Sequence, residues 1–110
     1  MVISSSPFGG QARTRVLVAL RLLDESYPRE LARLIGIPVS GVQGALRGLE
    51  RDGLVAGRLT GRTRLIRLNP RYFARDELQK YLLALAGADL ELQDRVAALR
   101  RRPRVSGKPL

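Results

Sequence analysis

The side chains best suited to chemistry in this sequence lie between positions 40 and 67, and they are amides, hydroxyls and guanidiniums rather than nucleophiles. At about 100° per residue, Val42, Ala45, Leu46 and Leu49 share one apolar stripe of a helix. Ser40, Gln43, Gly44, Arg47 and Arg51 fall on the opposite face, which carries no acid. A face of that kind suits a groove in a partner; an ordinary solvated helix surface is the other reading. Just downstream, Arg58, Arg62, Arg64 and Arg67 follow one another with no acidic residue between Gly57 and Arg67. On a hairpin these guanidiniums face a phosphate backbone well, although charge on edge strands also serves simply to discourage aggregation.

What is missing narrows the chemistry further. The chain contains no Cys and no His, which excludes disulfides, zinc sites of the usual donor types, thiol nucleophiles and imidazole acid–base catalysis. Ser and Thr have no His to activate them, so an enzyme is not expected, nor is any cofactor. The excess of base is large: 20 Lys plus Arg against 10 Asp plus Glu give a net charge of +10. All the basic residues except Lys80 and Lys108 are arginine, the planar donor that matches phosphates and guanine edges. A charge of that sign attracts polyanions. A chain of 110 residues, 45% hydrophobic and 27% charged, is expected to fold as one domain. No apolar stretch approaches the roughly 20 residues of a bilayer span, and the start has no basic n-region or apolar run, so a cytoplasmic location away from membranes is expected.

The elements that must position the polar face can be placed by local rules. Residues 1–10, rich in Ser, Gly and Pro, read as a loose arm, with Phe8 as a residue able to pack it down. A helix apolar nearly all round begins at Gln11 and ends at Asp24, Glu25 and Ser26; such a helix is buried on two sides. Pro28 opens a short second helix, with Leu31, Leu34 and Ile35 inside, Arg29 and Arg33 opposite, and Gly36 as its stop. Pro38 enforces a tight turn, and Ser40 is the expected cap of the third helix, 40–52. Strands are expected over 54–59 and 63–68, with Thr60, Gly61 and Arg62 as the turn between them. Asp76 and Gln79 resemble a capping box that starts a long C-terminal helix. In it Leu78, Leu82, Leu85, Leu92, Val96 and Leu99 alternate spacings of four and three, with Asp89 the one polar residue in register and Gly87 a weak point. Residues 100–110 read as a disordered basic tail. The expected fold class is mainly α with a small β-hairpin.

Taken together, Glu30-Leu31-Ala32, Gly36-Ile37, Ser40, Val42, Leu46, Leu49-Glu50, Gly53-Leu54-Val55, Gly61-Arg62 and Leu68 resemble the winged helix-turn-helix of bacterial ArsR/MarR-like transcriptional regulators. The resemblance implies a DNA-binding domain over 11–70, with a helical segment over 71–99 beside it. It implies that helix 40–52 enters the major groove, with Ser40, Gln43, Gly44 and Arg47 toward the bases and Arg29, Arg33 and Arg51 toward the backbone. It further implies that a basic wing, 57–67, brings Arg58, Arg62, Thr63 and Arg64 to phosphates or the minor groove. Gln pairs bidentately with adenine and Arg with guanine. The expected function is sequence-specific recognition of double-stranded DNA by a regulator, of repressor type; a protein- or RNA-interaction module without specific readout is the alternative. Gly41, Gly44 and Gly48 in the reading helix have two explanations, close approach to DNA or a tolerated flexible helix. The soft-metal sensing of many ArsR-like proteins is excluded, because no Cys or His is present.

The heptad spacing points to a homodimer whose seam comprises Leu78, Leu82, Leu85, Leu92, Val96 and Leu99, with packing on the first helix of the same chain as the competing reading. Half-sites would then lie ~34 Å apart. No residue argues for a small-molecule effector.

Overall fold

The computed structural model describes residues 7–101. Five helices and a three-stranded sheet follow in the order α1 (Gln11–Leu23), β1 (Glu25–Ser26), α2 (Pro28–Ile35), α3 (Val39–Arg51), β2 (Val55–Thr60), β3 (Thr63–Leu68), α4 (Arg75–Gly87) and α5 (Leu90–Arg101). The sheet is antiparallel in the order β1-β3-β2. The chain is therefore mainly helical with a small antiparallel sheet, and no helix among the described residues is long and apolar enough to cross a membrane.

The all-round apolar character of α1 has a direct structural cause. Val16, Leu17, Val18, Ala19 and Leu20 are completely buried, because α2, α3, α4 and α5 all pack around this helix. In front of it, Phe8 is half-buried, with its ring 5.8 Å from that of Tyr81, so the described part of the arm packs down. Residues 1–6 lie outside the described part.

The α2–α3 corner follows local rules. Tyr27 is extended ahead of Pro28 in the first turn of α2. Gly36 closes α2 in the left-handed region at φ 84°, its N–H donating to the Ala32 carbonyl at 2.8 Å. Pro38, extended at φ −61° and ψ 152°, then occupies the cap position of α3 and its carbonyl accepts from Gly41 and Val42. Ser40 is consequently inside the first turn and caps nothing, contrary to the expectation from its residue type.

The C-terminal third departs most from the sequence reading. The single long helix is two helices, α4 and α5, folded back around α1. The break falls at Asp89. Its Oδ1 accepts the Leu92 backbone N–H at 3.2 Å, an N-cap bond, and its Oδ2 accepts from Arg15 Nε at 3.0 Å. The expected capping box is also absent, since α4 starts at Arg75 behind Ala74 with no side-chain cap bond. Because the chain reverses, both halves of the heptad stripe face inward. Leu82 and Leu92 are completely buried, Leu78 and Val96 are buried, and Leu85 and Leu99 pack against the same core. The six residues expected to form a seam between subunits are thus spent inside one chain. Of the residues read as a basic tail, Arg100 and Arg101 belong to α5, with Arg100 donating to the Leu22 carbonyl, and 102–110 lie outside the described residues.

One strand was not foreseen. Glu25 and Ser26 pair with Arg67 and Ile66 of β3, and the buried Ser26 hydroxyl donates to the buried Glu30 carboxylate at 2.6 Å. That bond fastens the sheet to α2. From the other side, Arg95 of α5 and Arg15 of α1 donate to the carbonyls of Leu34 and Ile35, while Glu91 accepts from both arginines. The last carbonyls of α2, which have no partner within the helix, are satisfied in this way.

Candidate nucleic-acid interface

On α3, burial sorts the faces as the wheel suggests. Val42, Ala45, Leu46 and Leu49 are buried, whereas Ser40, Gln43, Arg47 and Arg51 are exposed and Gly44 is half-buried. The glycines divide between two roles. Gly48 is buried under Arg13 of α1, and a Cβ there would lie 2.6 Å from the guanidinium carbon, so its missing side chain serves α1–α3 packing. At Gly44 an added Cβ would meet only Arg47, at 3.6 Å, leaving the backbone open on the outer face.

The hairpin is joined by a two-residue loop in which Gly61 takes φ 64°, the positive value a primed turn requires at that position. Its register decides where each arginine goes. Leu59 pairs with Arg64 and Arg58 with Leu65, and alternate residues of a strand point to opposite faces. Arg64 therefore shares a face with the buried Ile66 and Val55, toward α3, and ion-pairs with Glu50 of that helix. Gly57 leaves the space this pair crosses; a Cβ there would be 3.1 Å from Glu50 Oε2 and 3.2 Å from Arg64 Nε. Arg58 lies on the other face, where it donates to Glu25 at 3.0 Å and to Thr60 Oγ1 at 2.7 Å. Of the expected wing contacts, Arg58 is thus turned away from α3.

Between the start of α2, the outer face of α3 and the hairpin tip lies a cavity of about 580 Å³ lined by Tyr27, Pro28, Arg29, Val39, Gln43, Arg62, Thr63 and Arg64. Five residues selected from sequence, Arg29, Gln43, Arg62, Thr63 and Arg64, converge on it, and no carboxylate lines it. Arg33 lies across a shallower depression at the α2–α3 turn, which Arg29 also borders. Arg51, at the far end of α3, is paired with Asp52 at 3.3 Å. Tyr27 and Glu50 were missed. Tyr27 has the position just before a helix-opening Pro as its only sign, and Glu50 stands out as the acid flanking an otherwise acid-free face.

Chemically the groove presents forked cationic donors at its rim and one amide, a donor and acceptor together, in its wall. A set of that kind is complementary to an anionic ligand, and the amide can pair with a group that both donates and accepts. Comparison with protein-family models, with curated proteins and with solved structures gives no match.

The two faces of the hairpin predict different behaviour. If the groove holds a duplex, Arg62→Ala is expected to weaken binding to any sequence and to lower the slope of log K against log salt by about one, as loss of one phosphate contact does. Arg58→Ala, on the far face, is expected to leave the slope within error. Anisotropy titrations at four salt concentrations separate the two.

Proposed function

We propose that this chain is a sequence-specific, double-stranded DNA-binding transcriptional regulator with a winged helix-turn-helix reading head. In this reading α3 enters the major groove, and the β2–β3 hairpin is the wing on the backbone or adjacent minor groove. The observation that carries it is the convergence of Arg29, Gln43, Arg62, Thr63 and Arg64 on one carboxylate-free groove beside the exposed face of α3. Gln43 and Arg47, one turn apart, read base edges; Arg29, Arg33 and Arg62 hold phosphates and set the register without reading sequence. Arg64, held by Glu50, orients the hairpin against α3. Occupancy of a promoter by such a head excludes other proteins, so repression is the regulatory outcome we assign.

We further infer a homodimer, with its contact on the outside of the α4–α5 pair rather than on the buried heptad residues. Between Arg75 and Arg101 five basic residues (Arg75, Lys80, Arg95, Arg100, Arg101) balance five acidic ones (Asp76, Glu77, Asp89, Glu91, Asp94), so the whole +10 excess lies elsewhere. Two strongly cationic chains meet at least cost through a neutral face. That face carries a groove of about 490 Å³ whose wall includes Leu22, Leu83 and Ala97, with Leu83 half exposed. Leu83→Glu with Ala97→Arg is expected to halve the mass measured by light scattering while leaving the circular dichroism unchanged; an unaltered mass overturns this assignment.

The reading head is tested by anisotropy titration on duplex DNA from upstream of the gene and on a scrambled duplex, at several salt concentrations. A preference of ~10³ or more supports specific regulation. Equal, steeply salt-dependent binding to both duplexes reduces the reading to nonspecific charge, and absence of binding at low salt overturns it.

A further inference from the structure

We propose that the chain holds a second, separate binding site, for a hydrogen-bearing phosphate, where the end of α1 meets β3 and α4. A cavity of about 110 Å³ there is lined by Leu20, Arg21, Asp24, Arg67, Leu68 and Gln79. It exceeds the ~10–15 Å³ that one water needs and is far below the ~300–1,000 Å³ of drug-sized sites, so it fits a small ion or a single phosphoryl group.

The lining is cationic and its cations are uncommitted. Arg21 Nε is buried without a hydrogen-bond partner among the described residues. Such an orphaned charged donor is costly to bury unless something accepts from it. Arg67 takes part in none of the ion pairs among the described residues. The reason is on the sheet: Glu25, directly opposite Arg67 in register, already accepts from Arg58 at 3.0 Å. Arg21 and Arg67 therefore line one cavity together, and Gln79, whose amide can donate, lines it as well.

Asp24 narrows the ligand. It stands at φ 72° and ψ −45°, a positive-φ backbone outside the αL region that ends α1, and it adds a carboxylate to the same lining. A carboxylate only accepts, so an oxyanion beside it must bring its own O–H. Inorganic phosphate carries one at neutral pH, a phosphomonoester carries one in its monoanion, and sulfate carries none. The site accordingly prefers phosphate to sulfate. It lies apart from the α3 groove, and its existence does not depend on the DNA reading.

Isothermal titration calorimetry of the full chain, in a zwitterionic buffer at constant ionic strength set by chloride, tests the assignment with sodium phosphate, glycerol phosphate and sodium sulfate. One saturable site per chain is expected for phosphate, at least tenfold tighter than for sulfate. Glycerol phosphate, mostly a dianion without an O–H at neutral pH, is expected to bind less tightly than free phosphate, and equal binding of the two overturns the role given to Asp24. Arg21→Gln and Arg67→Ala are each expected to weaken phosphate at least tenfold; if Arg21→Gln fails to fold, the exposed Arg67 decides alone. Asp24→Asn is expected to bring sulfate level with phosphate. The exposed Arg71 lies outside the cavity, and Arg71→Ala is expected to change nothing. No saturable heat, equal binding of sulfate by the unaltered chain, or an equal loss on Arg71→Ala overturns the proposal.

Discussion

Replacing Gln43 and Arg47 together by alanine is expected to leave the fold intact and to cut the preference for the cognate duplex by roughly 30-fold to 10⁴-fold. The range follows from two base contacts worth ~1–3 kcal/mol each, with ~1.4 kcal/mol per factor of ten. Both side chains are exposed on α3, and their spacing of four positions places them on the same face. Neither touches the core, so thermal stability should move by no more than about 0.5 kcal/mol. Affinity for the scrambled duplex should fall by less, because one positive charge is lost while the phosphate contacts proposed for Arg29, Arg33 and Arg62 remain. The comparison that matters is the ratio of the two affinities at one salt concentration. If both affinities fall in parallel, these residues add charge but read nothing, and the specific role of α3 is lost.

That groove was legible in the sequence to the extent that its residues obey local rules. Pro28 and Pro38 each fix φ and remove a donor, Gly36 admits the positive φ that ends α2, and the α2–α3 corner forms where they put it. The orientation of the hairpin arginines was not legible, because it hangs on one residue of register. A three-residue turn at Thr60, Gly61 and Arg62 would pair Leu59 with Thr63 and set Arg58 opposite Arg64 on a common face. The two-residue loop instead pairs Thr60 with Thr63, which sends Arg64 to Glu50 and Arg58 to Glu25. β1 escaped notice for a different reason. Two residues cannot display an alternating pattern, and Asp24-Glu25-Ser26 reads only as the end of a helix.

The heptad stripe misled because apolar spacing reports which face is buried but not against what. Leu78 and Leu82 keep the one-turn spacing of a core face, as do Leu92 and Val96, and a helix folded back at Asp89 buries both pairs on α1. The residue that broke the pattern was therefore the informative one, and its replacement has the largest stability effect we expect. Asp89→Ala is expected to cost about 3 kcal/mol. Removing one partner of a buried pair costs ~3–5 kcal/mol, since the other charge stays behind, and loss of an N-cap adds about 1 kcal/mol. The Arg15 and Asp89 side chains are only 12% and 10% exposed. Arg15 keeps Glu91 at 3.4 Å as a second acceptor and is not left wholly unpaired, which brings the total below the simple sum of the two terms, to about 3 kcal/mol. For a domain of about this size such a loss lowers Tm by roughly 10–20 °C. Asp89→Asn, which preserves a capping oxygen without the charge, should fall between Asp89→Ala and the unaltered chain. In the double variant Arg15→Met with Asp89→Ala no stranded guanidinium remains, so it should be more stable than Asp89→Ala alone. If the double variant is instead less stable by the sum of the two single losses, the pair is not coupled and the helix break owes its position to the cap and Gly87 alone.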